Sequence, residues 1–314
     1  MLKVTQPYEA LTVQNIIMYF YGLPSMHKSS LAMTARDALL INFDAGAHRV
    51  DTALRRCPVM DVSSWRDIQD IQMNDMAVYN TVIIDTAGTM QECARLFVAE
   101  DKKNTFGNGV LKQAAQGIAN GHVNTFIKNL RSWKKDIIIL AHAIEDKNNQ
   151  DKCIIRPDLG GRLRQDLYRL SDCMALISFD QRNNGARVLQ FTPNDEYLAK
   201  DCANLGTVSM PNFYQNATFL ANLVDHVKTK INSITPQEAA QMKLLQEAAL
   251  WKNQCSEARS SKDFNNLTLA IKELRVNKGK DDPQCKAMWK TLKPFATNLG
   301  FVFDDANSMW LESA

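Results

Sequence analysis

Residues 15–30 read Asn-Ile-Ile-Met-Tyr-Phe-Tyr-Gly-Leu-Pro-Ser-Met-His-Lys-Ser-Ser. An apolar run rich in β-branched and aromatic residues (16–21) stops at Gly22. Lys28-Ser29 follows six residues on, and Leu31-Ala32-Met33 opens a helix-compatible stretch. Strand, short loop and helix in that order confine the chain to a small set of α/β folds, because the helix must pack back on the sheet that holds the strand. The same order is that of a phosphate-binding P-loop, with His27 standing where the motif has glycine. A helix N-terminus leaves N–H groups unpaired and carries partial positive charge, which suits a polyphosphate. In that reading Gly22, Leu23, Pro24, Ser25, Met26, His27, Lys28, Ser29 and Ser30 form the nucleotide loop. Lys28 faces the β- and γ-phosphates and the Ser29 hydroxyl holds Mg²⁺. With one glycine missing, the spacing also fits a chance lysine in a loop.

A second run, Thr81-Val82-Ile83-Ile84-Asp85, is an apolar strand that ends in a carboxylate. Its place, a strand or two beyond the loop, is where a residue reaches Mg²⁺ from outside its direct ligands. A core strand closed by a turn aspartate is the plain alternative. Together the two runs point to ATP and Mg²⁺ as cofactors.

The rest of the chain sets bounds. With 314 residues, 45% hydrophobic and 23% charged, it has the length for one large α/β domain or a medium and a small one. A net charge of +3 means that nucleic-acid contact must come from local basic patches. Seven scattered cysteines without a Cys-x-x-Cys pair argue against a zinc site or disulfide framework and for a reducing cytoplasm. The longest apolar run is too short to span a bilayer, so no membrane association is expected.

Short apolar strands alternate with helical patterns from 15 to about 195, the signature of a parallel sheet with crossover helices. Strands are expected at 16–21, 39–43, 58–62, 80–85, 136–141, 173–179 and 187–191, and helices at 29–38, 65–75, 88–99 and 111–134. The last two strands flank Asn184-Gly185, a hairpin turn. A helix near 215–231 leads to Thr235-Pro236-Gln237-Glu238, a capping-box start for a helical tail. The expected division is a core domain at 1–232 and a helical module at 233–314.

Blocks in a fixed order carry a resemblance: the loop 22–29; Leu40-Ile41-Asn42-Phe43-Asp44-Ala45-Gly46-Ala47-His48-Arg49; Val82-Ile83-Ile84-Asp85-Thr86-Ala87-Gly88; Ile138-Ile139-Leu140-Ala141-His142; Arg156-Pro157-Asp158-Leu159-Gly160-Gly161; and Phe191-Thr192-Pro193-Asn194-Asp195 through Lys200. Over roughly 15–212 the chain resembles RecA-like P-loop ATPases, most closely the phage ATP-binding proteins of recombination and single-strand annealing. The resemblance implies a RecA-like core with a mainly parallel twisted sheet closed by a β-hairpin. It implies His142 as the polar sensor of the γ-phosphate, and Lys200, then Arg182 and Arg187, as the basic residue lent to a neighbouring subunit of a homo-oligomer.

It also implies two loops facing single-stranded DNA. One, at 143–159 with a Gly160-Gly161 hinge and the helix beyond, brings Lys147, Lys152, Arg156, Arg162 and Arg164. The other brings Lys102, Lys103 and Phe106, the last able to stack on a base. Interleaved acids leave the first loop open to a purely solvated reading. Gly46 stands where the resemblance expects a water-activating glutamate; Asp44 is the nearby carboxylate. Two functions follow. One is an oligomeric, DNA-acting ATPase of phage-type recombination, repair or replication, in the host cytoplasm if phage-encoded. The other is a slow or non-catalytic ATP-switched adaptor that recruits a replication or recombination partner through 233–314.

Overall fold

The computed structural model describes residues 4–10, 12–147, 152–181, 185–279 and 282–312. They fall into two compact units, Thr12–Ser233, and Met1–Leu11 with Ile234–Ala314.

The larger unit runs β1 (Ile17–Gly22), α1 (Lys28–Ala32), β2 (Ala38–Asn42), β3 (Val59–Asp61), α2 (Arg66–Gln69), β4 (Thr81–Asp85), α3 (Ala87–Ala99), α4 (Gln113–Ser132), β5 (Asp136–Lys147), β6 (Cys153–Pro157), α5 (Gly161–Leu170), β7 (Cys173–Asp180), β8 (Ala186–Gln190), β9 (Thr207–Ser209) and α6 (Phe219–Asn232). The strands form one sheet in the order β3-β2-β4-β5-β1-β7-β8-β9, with β6 paired to the outer part of β5. From β3 to β7 all neighbours are parallel; β8, β9 and β6 join antiparallel. This is a RecA-like P-loop core with a closing hairpin.

Helices cover both faces of the sheet, which is why its central strands are continuous apolar runs. Ile17, Tyr19 and Tyr21 of β1 pack with Met90 and Ala94 of α3, Val123 and Ile127 of α4, and Leu163 and Leu167 of α5. Ile16, Met18 and Phe20 pack on the other face with Leu31 of α1 and Leu220 and Val224 of α6. Each fully buried side chain of this size contributes about 1.5–3 kcal/mol. Position 22, the last of β1, holds glycine where a Cβ would sit 2.9 Å from the Ile177 carbonyl oxygen of β7.

Several elements differ from expectation. The helix expected at 29–38 stops at Ala32, and that at 65–75 reduces to Arg66–Gln69. The segment 143–159 is not a mobile loop over its described part. Main-chain hydrogen bonds carry β5 on to Lys147 and return the chain as β6, with Ile144 opposite Arg156. Nor is Gly160-Gly161 a free hinge. Gln91 of α3 donates to the Gly160 carbonyl (3.1 Å) and accepts from its N–H (3.0 Å), and a Cβ on Gly160 would meet the Arg95 guanidinium at 2.6 Å.

The smaller unit holds α7 (Pro236–Glu257), α8 (Ser261–Lys278), α9 (Pro283–Asn298) and a hairpin of β10 (Phe301–Asp304) and β11 (Met309–Glu312). Thr235 and Glu238 form the capping box of α7; Ser260 and Asp263 repeat the device on α8. The core gathers Trp251, Phe264, Ile271, Leu292, Phe301 and Trp310, and Trp310 Nε1 donates to Thr268 Oγ1 (3.0 Å). The helical tail therefore ends in a small sheet, where a purely helical module is expected from the sequence. Among the described residues no helix is long and apolar enough to cross a membrane.

Candidate functional site

The site lies at the carboxyl ends of β1 and β4, level with His142 in β5. After Gly22 the chain turns through Ser25 and His27, both with positive φ (62° and 59°), before α1 begins at Lys28. Histidine therefore occupies a left-handed backbone position that glycine adopts without penalty. Lys28 is buried, and its Nζ donates to the carbonyls of Gly22 (2.9 Å) and Leu23 (2.8 Å). Burial pulls its pKa down against the opposing pull of Asp85 and Asp44.

The Ser29 hydroxyl donates to Asp85 Oδ2 at 2.5 Å. Asp85 is the last residue of β4, and the peptide that follows it is cis. Desolvation lifts the Asp85 carboxyl to about 6 despite the Ser29 bond; the nearby Asp44 charge adds to the rise, while Lys28 and Arg49 oppose it. His142 stands level with Gly22 in the β1–β5 ladder, and its Nδ1 is buried without a hydrogen-bond partner. Burial, then the Lys28 charge, hold its pKa below the ordinary imidazole value. Asp44 follows β2, and its carboxylate accepts from the Gly46 N–H at 2.8 Å.

These residues surround one cavity of about 740 Å³, within the range of small-molecule and cofactor sites. Pro24 through Ser30, Asp44, Asp85 and His142 line it. So do residues to which the sequence assigns no role: Arg49, and an apolar wall of Val50, Leu54, Met210, Pro211, Phe213 and Tyr214. Arg56 donates to the Phe213 carbonyl (2.8 Å), which ties the two stretches of wall together. Arg49 closes the block that begins at Leu40 and follows Gly46 by one 3₁₀ turn; the Met210–Tyr214 wall has no local signal that separates it from a surface loop.

A magnesium nucleotide fits this donor set. Lys28 Nζ meets main-chain oxygens of its own loop, the Ser29–Asp85 pair offers hydroxyl and carboxylate oxygens, and His142 Nδ1 is buried without a partner. A hard cation takes such oxygens, and the cationic side chains suit phosphates.

Other expected residues lie elsewhere. Lys200 pairs with Met174 near the start of β7, at the opposite end of the sheet from the cavity. Its Nζ donates to the Ser171 carbonyl (2.6 Å) and lies over the Tyr168 ring, contacts that hold it near the start of β7 and away from the cavity of its own chain. Arg182 falls outside the described residues. Arg187 lines the cavity of its own chain. Arg156 is ion-paired with Asp146 across the β5–β6 hairpin, which occupies one of the expected DNA contacts. Arg162 is exposed, 3.8 Å from Asp166. Arg164 is half-buried on the same helix; Lys147 ends β5 and Lys152 precedes β6. Lys102 and Lys103 form a 3₁₀ turn. Phe106, 56% exposed, starts a tight turn in which its N–H bonds the Val110 carbonyl (2.8 Å).

The sheet, the loop and the Ser29–Asp85 pair together define a P-loop nucleotide-binding core. A family model described as an AAA domain matches residues 14–203, and the chain belongs to that family. Comparison with curated protein sequences gives no match. Among solved structures, a KaiC-like protein of the hyperthermophilic archaeon Pyrococcus horikoshii is similar over 62% of this chain and 89% of its own, at 11% identity and a TM-score of 0.35.

Proposed function

We propose that this chain binds ATP with Mg²⁺ and hydrolyses it, as an oligomeric protein acting on single-stranded DNA in phage-type recombination, repair or replication. One observation carries the nucleotide reading: Lys28 and Ser29 of α1, Asp85 at the end of β4 and His142 of β5 converge on one cavity. When bound, Mg²⁺ supplies charge neutralisation at the phosphates. Lys28 holds the terminal phosphates, Ser29 and Asp85 hold the cation, and the apolar wall of Val50, Leu54, Phe213 and Tyr214 takes the base. Asp44 is the carboxylate available to orient water, and His142 Nδ1 is a free polar atom to sense the γ-phosphate. DNA contact falls to Lys102, Lys103 and Phe106 and to Lys147, Lys152, Arg162 and Arg164, with a partner protein engaged through 233–314.

The adaptor reading also has an observation behind it. Gly46 brings no carboxylate, and Asp44 Oδ1 is already held by the Gly46 N–H. Both features suit slow turnover with ATP used as a switch. ATP hydrolysis measured with and without single-stranded DNA separates the two. Turnover that DNA stimulates supports the first reading, whereas tight ATP binding without turnover supports the adaptor.

A further inference from the structure

Part of the cavity lining, Gly185 to Arg187, comes from the closing hairpin, and its chemistry centres on Arg187. Gly22, the last residue of β1, pairs with Ile177 of β7. β7 runs on past that level, so Phe179 lies two residues beyond the end of β1. Arg187 of β8 is its cross-strand partner. Side chains alternate along a strand, and Arg187 shares parity with Leu189, which is buried with Leu31 and Phe20 on the α1 face. Arg187 thus projects on the face of the sheet that carries α1, above the level at which β1 ends.

Three further observations describe its state there. The guanidinium carbon lies 5.4 Å from the Phe179 ring centroid, a contact that steadies the head group without satisfying its N–H groups. Its Nε is buried with no hydrogen-bond partner, and among the described residues no carboxylate pairs with it. Its charge also reaches His27 of the phosphate loop, whose pKa is lowered first by burial and then by Arg187. The main chain of Arg187 accepts from the Met210 N–H (2.8 Å), which joins the arginine to the apolar wall. A cation oriented over an aromatic ring, short of acceptors and facing a cavity rimmed by Lys28 and Arg49, matches an anionic ligand.

We propose that Arg187 binds the nucleotide phosphates in cis, so that each chain completes its own cation set of Lys28, Arg49 and Arg187 without a residue from a neighbour. This rests on the nucleotide reading above and reverses the expectation that Arg187 serves an adjacent subunit. A site completed within the chain would load ATP with an affinity independent of protein concentration.

Mixing two variants tests it. ATP binding is titrated for the parent, Lys28→Ala, Arg187→Ala and an equimolar mixture of the two variants, at several protein concentrations. Arg187→Ala is expected to bind ATP at least about tenfold more weakly, as for loss of a charged hydrogen bond, at every concentration. The mixture is expected to show no tight sites. Tight sites that reappear on mixing would overturn the proposal, because an intact loop in one chain would then be using the arginine of the other. Parent-like affinity in Arg187→Ala would also overturn it. Parent-like affinity in Lys28→Ala would instead overturn the nucleotide site itself. If Arg187→Ala does not fold, Arg187→Gln keeps the aliphatic stem against Phe179, removes the charge and is read in the same way.

Discussion

The Ser29 hydroxyl donates a 2.5 Å hydrogen bond to Asp85 Oδ2, although the two residues are 56 positions apart in the chain, one on α1 just after β1 and the other at the end of β4, and β1 and β4 are not neighbours. β5 lies between β1 and β4 and presents His142 level with Gly22, so the bond reaches past a third strand. The helix after β1, the end of β4 and the strand between β1 and β4 place a hydroxyl, a carboxylate and an imidazole around one cavity. In the function proposed above, Asp85 serves the cation and Lys28 the phosphates.

Asp85→Asn is expected to keep most of the ATP affinity measured without metal and to lower Mg²⁺-dependent turnover about 10–100-fold, the usual cost of losing a group that supports a metal site. Steady-state hydrolysis against Mg²⁺ concentration checks it. Unchanged turnover would reduce Asp85 to a buried turn residue.

The same carboxyl gives a pH prediction for the nucleotide-free protein. Its folded pKa is raised to about 6 from 3.8, so the folded state holds the proton more tightly than the unfolded one. Stability from this group is full below about pH 4 and is lost as pH rises through about 6. The loss amounts to roughly 3 kcal/mol at most, at 1.36 kcal/mol per unit. Asp85→Asn should therefore unfold at higher denaturant than the parent at pH 7.5, with the gap closing toward pH 4. A gap that is flat in pH would remove the titration from Asp85.

Lys28→Ala is expected to weaken ATP binding by about 10–100-fold, from a charged hydrogen bond of about 1.5–3 kcal/mol. Calorimetric titration reads this directly. Since Lys28 Nζ bonds the Gly22 and Leu23 carbonyls in the free loop, thermal unfolding of the variant shows whether the loop itself has loosened.

His27 illustrates what the sequence made legible and what it did not. The replaced glycine raised a question about backbone conformation, and the structure answers it with φ 59°. The central strands could be read because burial on both faces leaves continuous apolar runs, and the loop could be read because its residues are contiguous. Arg187 and the Met210–Tyr214 wall come from distant segments brought together only by the order β1-β7-β8-β9, which no local pattern encodes. β6 is hard to read because Cys153-Ile154-Ile155-Arg156-Pro157 is short, ends in proline and directly follows a long polar run. β10 and β11 were missed because a strong capping signal at Thr235 set a helical frame for everything after it.

At that left-handed position, His27→Gly should change stability by no more than about 1 kcal/mol and retain ATP binding, since relief of strain offsets the extra freedom of the unfolded chain. His27→Val should cost about 1–2 kcal/mol, because a β-branched side chain crowds the left-handed backbone. Chemical denaturation of both variants is the check. Equal stability of the two would mean that the loop relaxes out of the conformation seen here.

DNA binding carries the prediction with the most distinct readout. Lys152, Arg162 and Arg164 lie around the β5–β6 hairpin and the first turn of α5, while Arg156 is held by Asp146. Replacing the three with alanine should weaken single-stranded DNA binding and flatten its salt dependence. Each phosphate left without its cationic side chain lowers the slope of log affinity on log salt by about 0.7, so the triple variant should lose up to about 2 in slope. Phe106→Ala acts differently: removing a stacked base costs about 1–3 kcal/mol with the salt slope unchanged. Fluorescence anisotropy on an oligonucleotide at a series of salt concentrations distinguishes the two effects, and ATP titration confirms that the nucleotide site is intact. If slope and affinity both stay at the parent value in a folded triple variant, these basic residues face solvent. The adaptor reading then accounts better for a chain that carries a P-loop without a glutamate at Gly46.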